Sequence, residues 1–193
     1  APDDIPLIDL SVLETEHLRL LYFDPSETYL TPYVGRSFEN ALNFEQRIFG
    51  WEPWDQVTLL LKDFGDYGNA AARSSPNNAL LIDIAPLSLA YETFSPGERF
   101  FTLTNHEVTH VALMDVWNER DARWRRIFGG KPMPVQEHPE SILYNYLATP
   151  RVNVPRWYLE GSAVFMETWM AGGFGRAQGA YDERVFRSMV RDD

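Results

Sequence analysis

The sequence predicts an α+β fold: a small mixed or antiparallel sheet packed on one buried helix, followed by a helical C-terminal part. Three observations carry this. Apolar, β-branched and aromatic runs bounded by turn residues, His17–Phe23, Gln56–Lys62 and Ala79–Ile84, all fall in the first 84 positions. The stretch from Ser95 to Met114 has Phe100, Phe101, Leu103, Val108, Val111, Ala112 and Leu113 around most of a helical circumference, as in a helix enclosed by its domain. Beyond it, the segments with helical character are opened or stopped by Pro and Gly.

Taken in order, residues 1–15 read as an extended or poorly ordered lead-in. His17 opens the first strand as a surface or edge residue, and Asp24-Pro25 closes it. Ser37–Phe49 has apolar residues at 38, 41, 42, 44, 48 and 49, the spacing of an amphipathic helix, and Gly50 ends it. The strands Gln56–Lys62 and Ala79–Ile84 flank a loop over 63–76 with Gly65 and Gly68. For the central helix, Ser95 is read as the cap, Pro96 as the first helical residue and Glu98 as the acid closing a capping box.

Arg120–Phe128 reads as a short helix closed by Gly129-Gly130, with the basic cluster Arg120–Arg126 as its wet face. Lys131–Pro139 is a proline-broken loop containing His138. Glu140–Leu147 is helical, with Tyr144 and Tyr146 as packing residues. Pro155 opens a further helix that Gly172-Gly173 stops, and Tyr181–Val190 forms a charged last helix.

Composition limits the functional classes. The chain of 193 residues, 45% hydrophobic with six Trp and twelve Phe, suits one globular unit over 1–193. No run approaches the roughly 18 apolar residues of a transmembrane segment. A net charge of −11 without a basic stripe argues against nucleic acid. With no cysteine, disulfides and thiolate metal ligands are both excluded. The start at Ala1-Pro2-Asp3-Asp4 reads either as a mature end left by signal-peptide removal, the preferred reading, or as an arbitrary boundary, and the ending at Asp193 raises the expectation that the natural chain continues.

The chemistry is concentrated in His106-Glu107-Val108-Thr109-His110. Residues four apart share one face of a helix, with Cβ atoms about 5–6 Å apart, so both imidazoles reach one metal ion. Glu107, next to the first ligand, is placed beside the metal without binding it, where a general base for a metal-activated water belongs. A third ligand is needed, and Glu160 is the candidate, followed by Gly161, Ser162 and Ala163, whose small size lets two helices approach. Asp115 reads either as a contact to a ligand imidazole or as a surface acid at the helix end.

The pair His-Glu-Val-Thr-His over 106–110 and Trp157-Tyr-Leu-Glu-Gly-Ser-Ala-Val-Phe-Met-Glu167 resembles the two zinc-binding motifs of gluzincin metallopeptidases. The resemblance implies a zincin-like fold, Zn2+ held by His106, His110 and Glu160, and Glu107 as general base and proton shuttle in peptide-bond hydrolysis. It implies that Glu167 supports a ligand histidine by hydrogen bonding. It also implies that the strand before the metal helix, Ala79–Ile84, is a sheet edge pairing with an extended peptide or protein substrate.

Resembling enzymes add a tyrosine or histidine as oxyanion donor; the candidates are Tyr181 and His138, with Tyr158 a further departure from the pattern. A weaker upstream likeness, to N-terminal peptidase-like domains of large bacterial envelope proteins, implies a periplasmic, cell-envelope or secreted setting and further C-terminal domains. The alternative is a zinc-bearing but inactive peptide- or partner-binding domain.

Overall fold

The computed structural model describes residues 8–85, 99–148, 154–173 and 175–192. Five strands, β1 (Asp9–Glu14), β2 (Leu18–Asp24), β3 (Val57–Lys62), β4 (Ala70–Arg73) and β5 (Ala79–Asp83), form a mixed sheet in the order β1-β2-β3-β5-β4. The helices are α1 (Thr31–Phe49), α2 (Arg99–Met114), α3 (Glu119–Ile127), α4 (Pro139–Leu147), α5 (Arg156–Met170) and α6 (Ala180–Asp192). The fold is α+β. Among the described residues no helix is long and apolar enough to cross a membrane.

The core follows from strand alternation. Leu18, Leu20, Val57, Leu59, Leu61, Leu80 and Ile82 point to one face of the sheet and are buried. Onto that face α1 lays Val34, Phe38, Ala41 and Leu42, and α2 lays Phe100, Val108, Val111 and Ala112. Each fully buried Leu, Val or Phe contributes about 1.5–3 kcal/mol, so this face sets where α2 lies. β2 and β3 are parallel, and α1 is the crossover that this pairing requires. The helix begins earlier than its apolar spacing shows, at Thr31 with Pro32 in the first turn, and ends at Gly50, whose φ of 58° suits glycine.

The lead-in is extended, as one of its two readings has it, over β1, which runs antiparallel to β2 from Asp9↔Asp24 to Glu14↔Arg19. Two expectations are corrected in the sheet. The loop over 63–76 contains β4, antiparallel to β5. Among the described residues, β5, expected as the edge, is an inner strand between β3 and β4, and β4 is the edge. Gly68 allows the chain to enter β4: a Cβ there would lie 2.0 Å from the Ala85 carbonyl oxygen. The capping signal at Ser95, Pro96 and Glu98 lies outside the described residues.

Two charged residues have different roles from those read in the sequence. Asp115 is completely buried and contacts neither ligand imidazole. Its carboxylate accepts four hydrogen bonds, from Arg125 Nη1 (2.7 Å), Lys131 Nζ (2.9 Å), Asn78 Nδ2 (2.7 Å) and the Trp54 backbone N–H (2.8 Å). Arg125, expected on a wet face, is 1% exposed because this carboxylate draws it inward. The network ties the C-terminal end of α2 to α3 and to the segments entering β3 and β5.

Candidate metal centre

α2 and α5 supply the site. His106 and His110 lie one turn apart on the α2 face turned away from the sheet, with their Nε2 atoms 3.0 Å apart. Glu160, in α5, brings Oε2 to 3.5 Å from His106 Nε2 and 3.6 Å from His110 Nε2. Together the three residues can hold a metal ion. The separations fit one: the circle through three atoms so spaced has a radius of about 2.0 Å, close to the usual bond length of about 2.0–2.2 Å for imidazole nitrogen or carboxylate oxygen on a divalent ion.

The protonation states suit ligation. Burial, reinforced by the charge of His106, lowers the His110 pKa to about 4, so its imidazole is neutral at physiological pH. Glu107 is buried beside the ligands, and desolvation pushes its pKa up to about 7, partly offset by His106. It can therefore both take and release a proton near neutrality.

Behind His106 stands Glu167, two turns along α5 from Glu160, with Oε2 2.8 Å from His106 Nδ1. Burial alone would raise the Glu167 pKa, but hydrogen bonds from Arg176 and His106 outweigh it and leave the group below the usual carboxylate range. Arg176 donates from Nε to Glu167 Oε1 (2.6 Å) and from Nη2 to Oε2 (2.7 Å). Nη2 is also 2.8 Å from His106 Nδ1. An arginine only donates and an ionised carboxylate only accepts. The tautomer therefore decides the partner: with the proton on Nδ1, His106 donates to Glu167 and keeps the Nε2 lone pair for a metal, and with the proton on Nε2, Nδ1 accepts from Arg176.

The ligands open into a cleft of about 430 Å3, bounded by α2, α5 and the β4 edge over Asn69–Ala72, with Leu103, Met114 and Leu159 as its apolar lining and Arg156 and Arg176 as its cations. The Asp83 backbone N–H donates to the Asn69 carbonyl. Because inward and outward groups alternate along an antiparallel pair, Ala71 bonds to β5, while the N–H and C=O groups of Ala70 and Ala72 face away from β5, on the edge that no strand pairs among the described residues.

The other sequence candidates lie elsewhere. His138 precedes α4, is exposed and pairs with Glu140 at 3.0 Å. Tyr181 is exposed on α6, and Tyr158 lies on α5. None of the three lines the cleft. His17 pairs with Glu39 across the β2–α1 contact. Conversely, sequence reasoning missed Arg176 and the β4 edge. The signal for Arg176 is slight, an arginine after a glycine-rich helix stop; Ala70-Ala71-Ala72 carries no strand signal of its own.

No protein-family model matches the chain, and neither a curated protein nor a solved structure matches it.

Proposed function

We propose that this chain is a zinc metallopeptidase of the gluzincin kind. The observation that carries the reading is that His106, His110 and Glu160 converge on one point with the buried Glu107 carboxyl beside them, in a cleft bordered by an open strand edge. Two imidazoles and one carboxylate suit zinc and leave room for water and substrate. When bound, Zn2+ supplies a Lewis acid for a carbonyl oxygen and lowers the pKa of water to about 7.

The chain's own residues do the rest. Glu107, with its pKa near 7, takes the proton of the attacking water and returns it to the departing amine nitrogen. Glu167 accepts the His106 Nδ1 proton when Nε2 faces the metal. The outward main-chain groups of Ala70 and Ala72 hold an extended peptide by strand addition, and Leu103, Met114 and Leu159 receive its apolar side chains.

A second reading, a zinc-bearing but inactive peptide- or partner-binding domain of a larger envelope protein, has one observation in its favour. Among the described residues, the cleft lining holds no tyrosine, and no histidine beyond the two ligands, to share the oxyanion charge. Metal content and cleavage of an unfolded, quenched protein substrate separate the readings, using the wild type and Glu107→Gln. One zinc in each, with cleavage reduced about 10²–10⁴-fold in the variant, is the expected outcome. One zinc in each and no cleavage by either would select the binding domain.

A further inference from the structure

We infer that Arg176 is a positioning residue for the metal centre, acting through Glu167 on His106; the inference rests on the metal site of the reading above but not on peptidase activity. The Glu167 side chain has no solvent exposure, and a buried carboxylate needs a compensating charge. Arg176 provides it with two parallel N–H···O bonds, one to each oxygen, which also fix the plane of the carboxylate. His106 Nδ1 is bonded to one of those same oxygens. The direction of the carboxylate thus sets the rotation of the imidazole, and so where His106 Nε2 points relative to His110 and Glu160.

Arg176 is itself anchored to the helix that carries the third ligand. Gly175 sits against Thr168 so closely that a Cβ would lie 2.2 Å from Thr168 Oγ1 and 2.4 Å from its Cα. The Ala177 N–H donates to Thr168 Oγ1 (3.1 Å), and that hydroxyl donates to the Val164 carbonyl (2.8 Å). One helix, α5, therefore provides Glu160 to the metal, Glu167 to the ligand imidazole and Thr168 to the turn that delivers Arg176. An ion pair serving stability alone would not need its carboxylate shared with a ligand nitrogen.

The test is Zn2+ affinity by competition with a chromophoric chelator, and the visible spectrum of the Co2+-loaded protein. The proteins are the wild type, Arg176→Met, Arg176→Lys, Glu167→Gln and the Arg176→Met/Glu167→Gln double variant. Arg176→Met should weaken Zn2+ binding about 10–100-fold, the usual effect of losing a partner behind a ligand, and shift the Co2+ bands. Arg176→Lys, which keeps the charge but not the fork, should recover part of the loss. The double variant should bind within about twofold of Glu167→Gln, because residues acting as a unit are not additive.

Wild-type affinity and an unchanged Co2+ spectrum in Arg176→Met would overturn the inference, as would losses that multiply in the double variant. Should Arg176→Met fail to fold by circular dichroism, Arg176→Lys decides: a loss of about fivefold or more supports the inference, and none overturns it. Metal binding is read without substrate. A chain that binds Zn2+ tightly and cleaves nothing overturns the peptidase reading alone, whereas a wild type that binds no metal overturns both.

Discussion

Thr109 Oγ1 lies 2.7 Å from Glu45 Oε1 and 2.8 Å from the carbonyl oxygen of Asn105, yet the hydroxyl has one proton to give. Both contacts are satisfied when Glu45 is protonated and donates to Thr109 while Thr109 donates to Asn105. Burial between α1 and α2 pushes the Glu45 pKa up to about 7, against the smaller lowering effect of the Thr109 contact. Below about pH 7 a neutral acid thus sits behind α2, on the side away from the cleft.

The sign of the pH effect follows. The folded pKa of Glu45 is raised from 4.5 to about 7, so its contribution to stability is complete below pH 4.5 and is lost as pH rises to about 7. A shift of this size corresponds to about 3 kcal/mol. Urea denaturation of the metal-free protein across this range should give a steeper fall for the wild type than for Glu45→Gln, which has no carboxyl to ionise. Equal slopes would show that Glu45 titrates normally.

Asp115 predicts a second effect. Replacing it by Ala strips a four-bonded carboxylate from Arg125 and Lys131 and leaves both cations in the interior. Breaking a buried pair in this way costs about 3–5 kcal/mol. The urea midpoint should drop accordingly at an unchanged m-value; a drop worth less than about 1 kcal/mol would mean that water replaces the carboxylate.

The open edge of β4 predicts a third. Ala72→Pro removes an N–H that faces away from β5, so the sheet ladder keeps its bonds. One lost substrate hydrogen bond, worth about 0.5–1.5 kcal/mol, should lower kcat/KM about 2–12-fold with zinc content unchanged. Equal loss from Ala71→Pro and Ala72→Pro would indicate general damage to the strand.

Metal removal supplies a fourth. An ion bound only by the folded chain stabilises it by about 2.7 kcal/mol at a concentration one hundred times its Kd. Chelation should therefore lower the Tm of the wild type, with recovery on adding Zn2+. In Glu160→Ala, which lacks one corner of the triangle, the Tm should respond little to either treatment.

What was legible in the sequence was what depends on local geometry. His106 and His110 share a helix face because of a four-residue spacing, and the small residues after Glu160 mark where another helix can come close. The strands β2, β3 and β5 announce themselves by their aliphatic runs. Hidden parts depend on assembly. Ala70-Ala71-Ala72-Arg73 is a strand because β5 pairs with it, not because alanine favours strands. An aspartate after an apolar helix looks solvated until Arg125, Lys131 and Asn78 arrive from three other segments. Arg176 reaches Glu167 through a turn closed by Gly175 on Thr168, a contact that no periodicity records.

The sheet order also bears on how this scaffold tolerates change. β4 reaches the edge as one arm of a hairpin with β5, and the segments on either side of it, 63–69 and 74–78, run between strands. Within those two segments Gly68, pressed against Ala85, and Asn78, which bonds Asp115 and accepts from the Thr58 N–H, are tied to the core, so variation that leaves the β2–β3–β5 register in place is confined to the residues between them and the strands. On the proposed function, diversity in substrate preference belongs in the exposed part of that hairpin, with α2 and α5 kept constant.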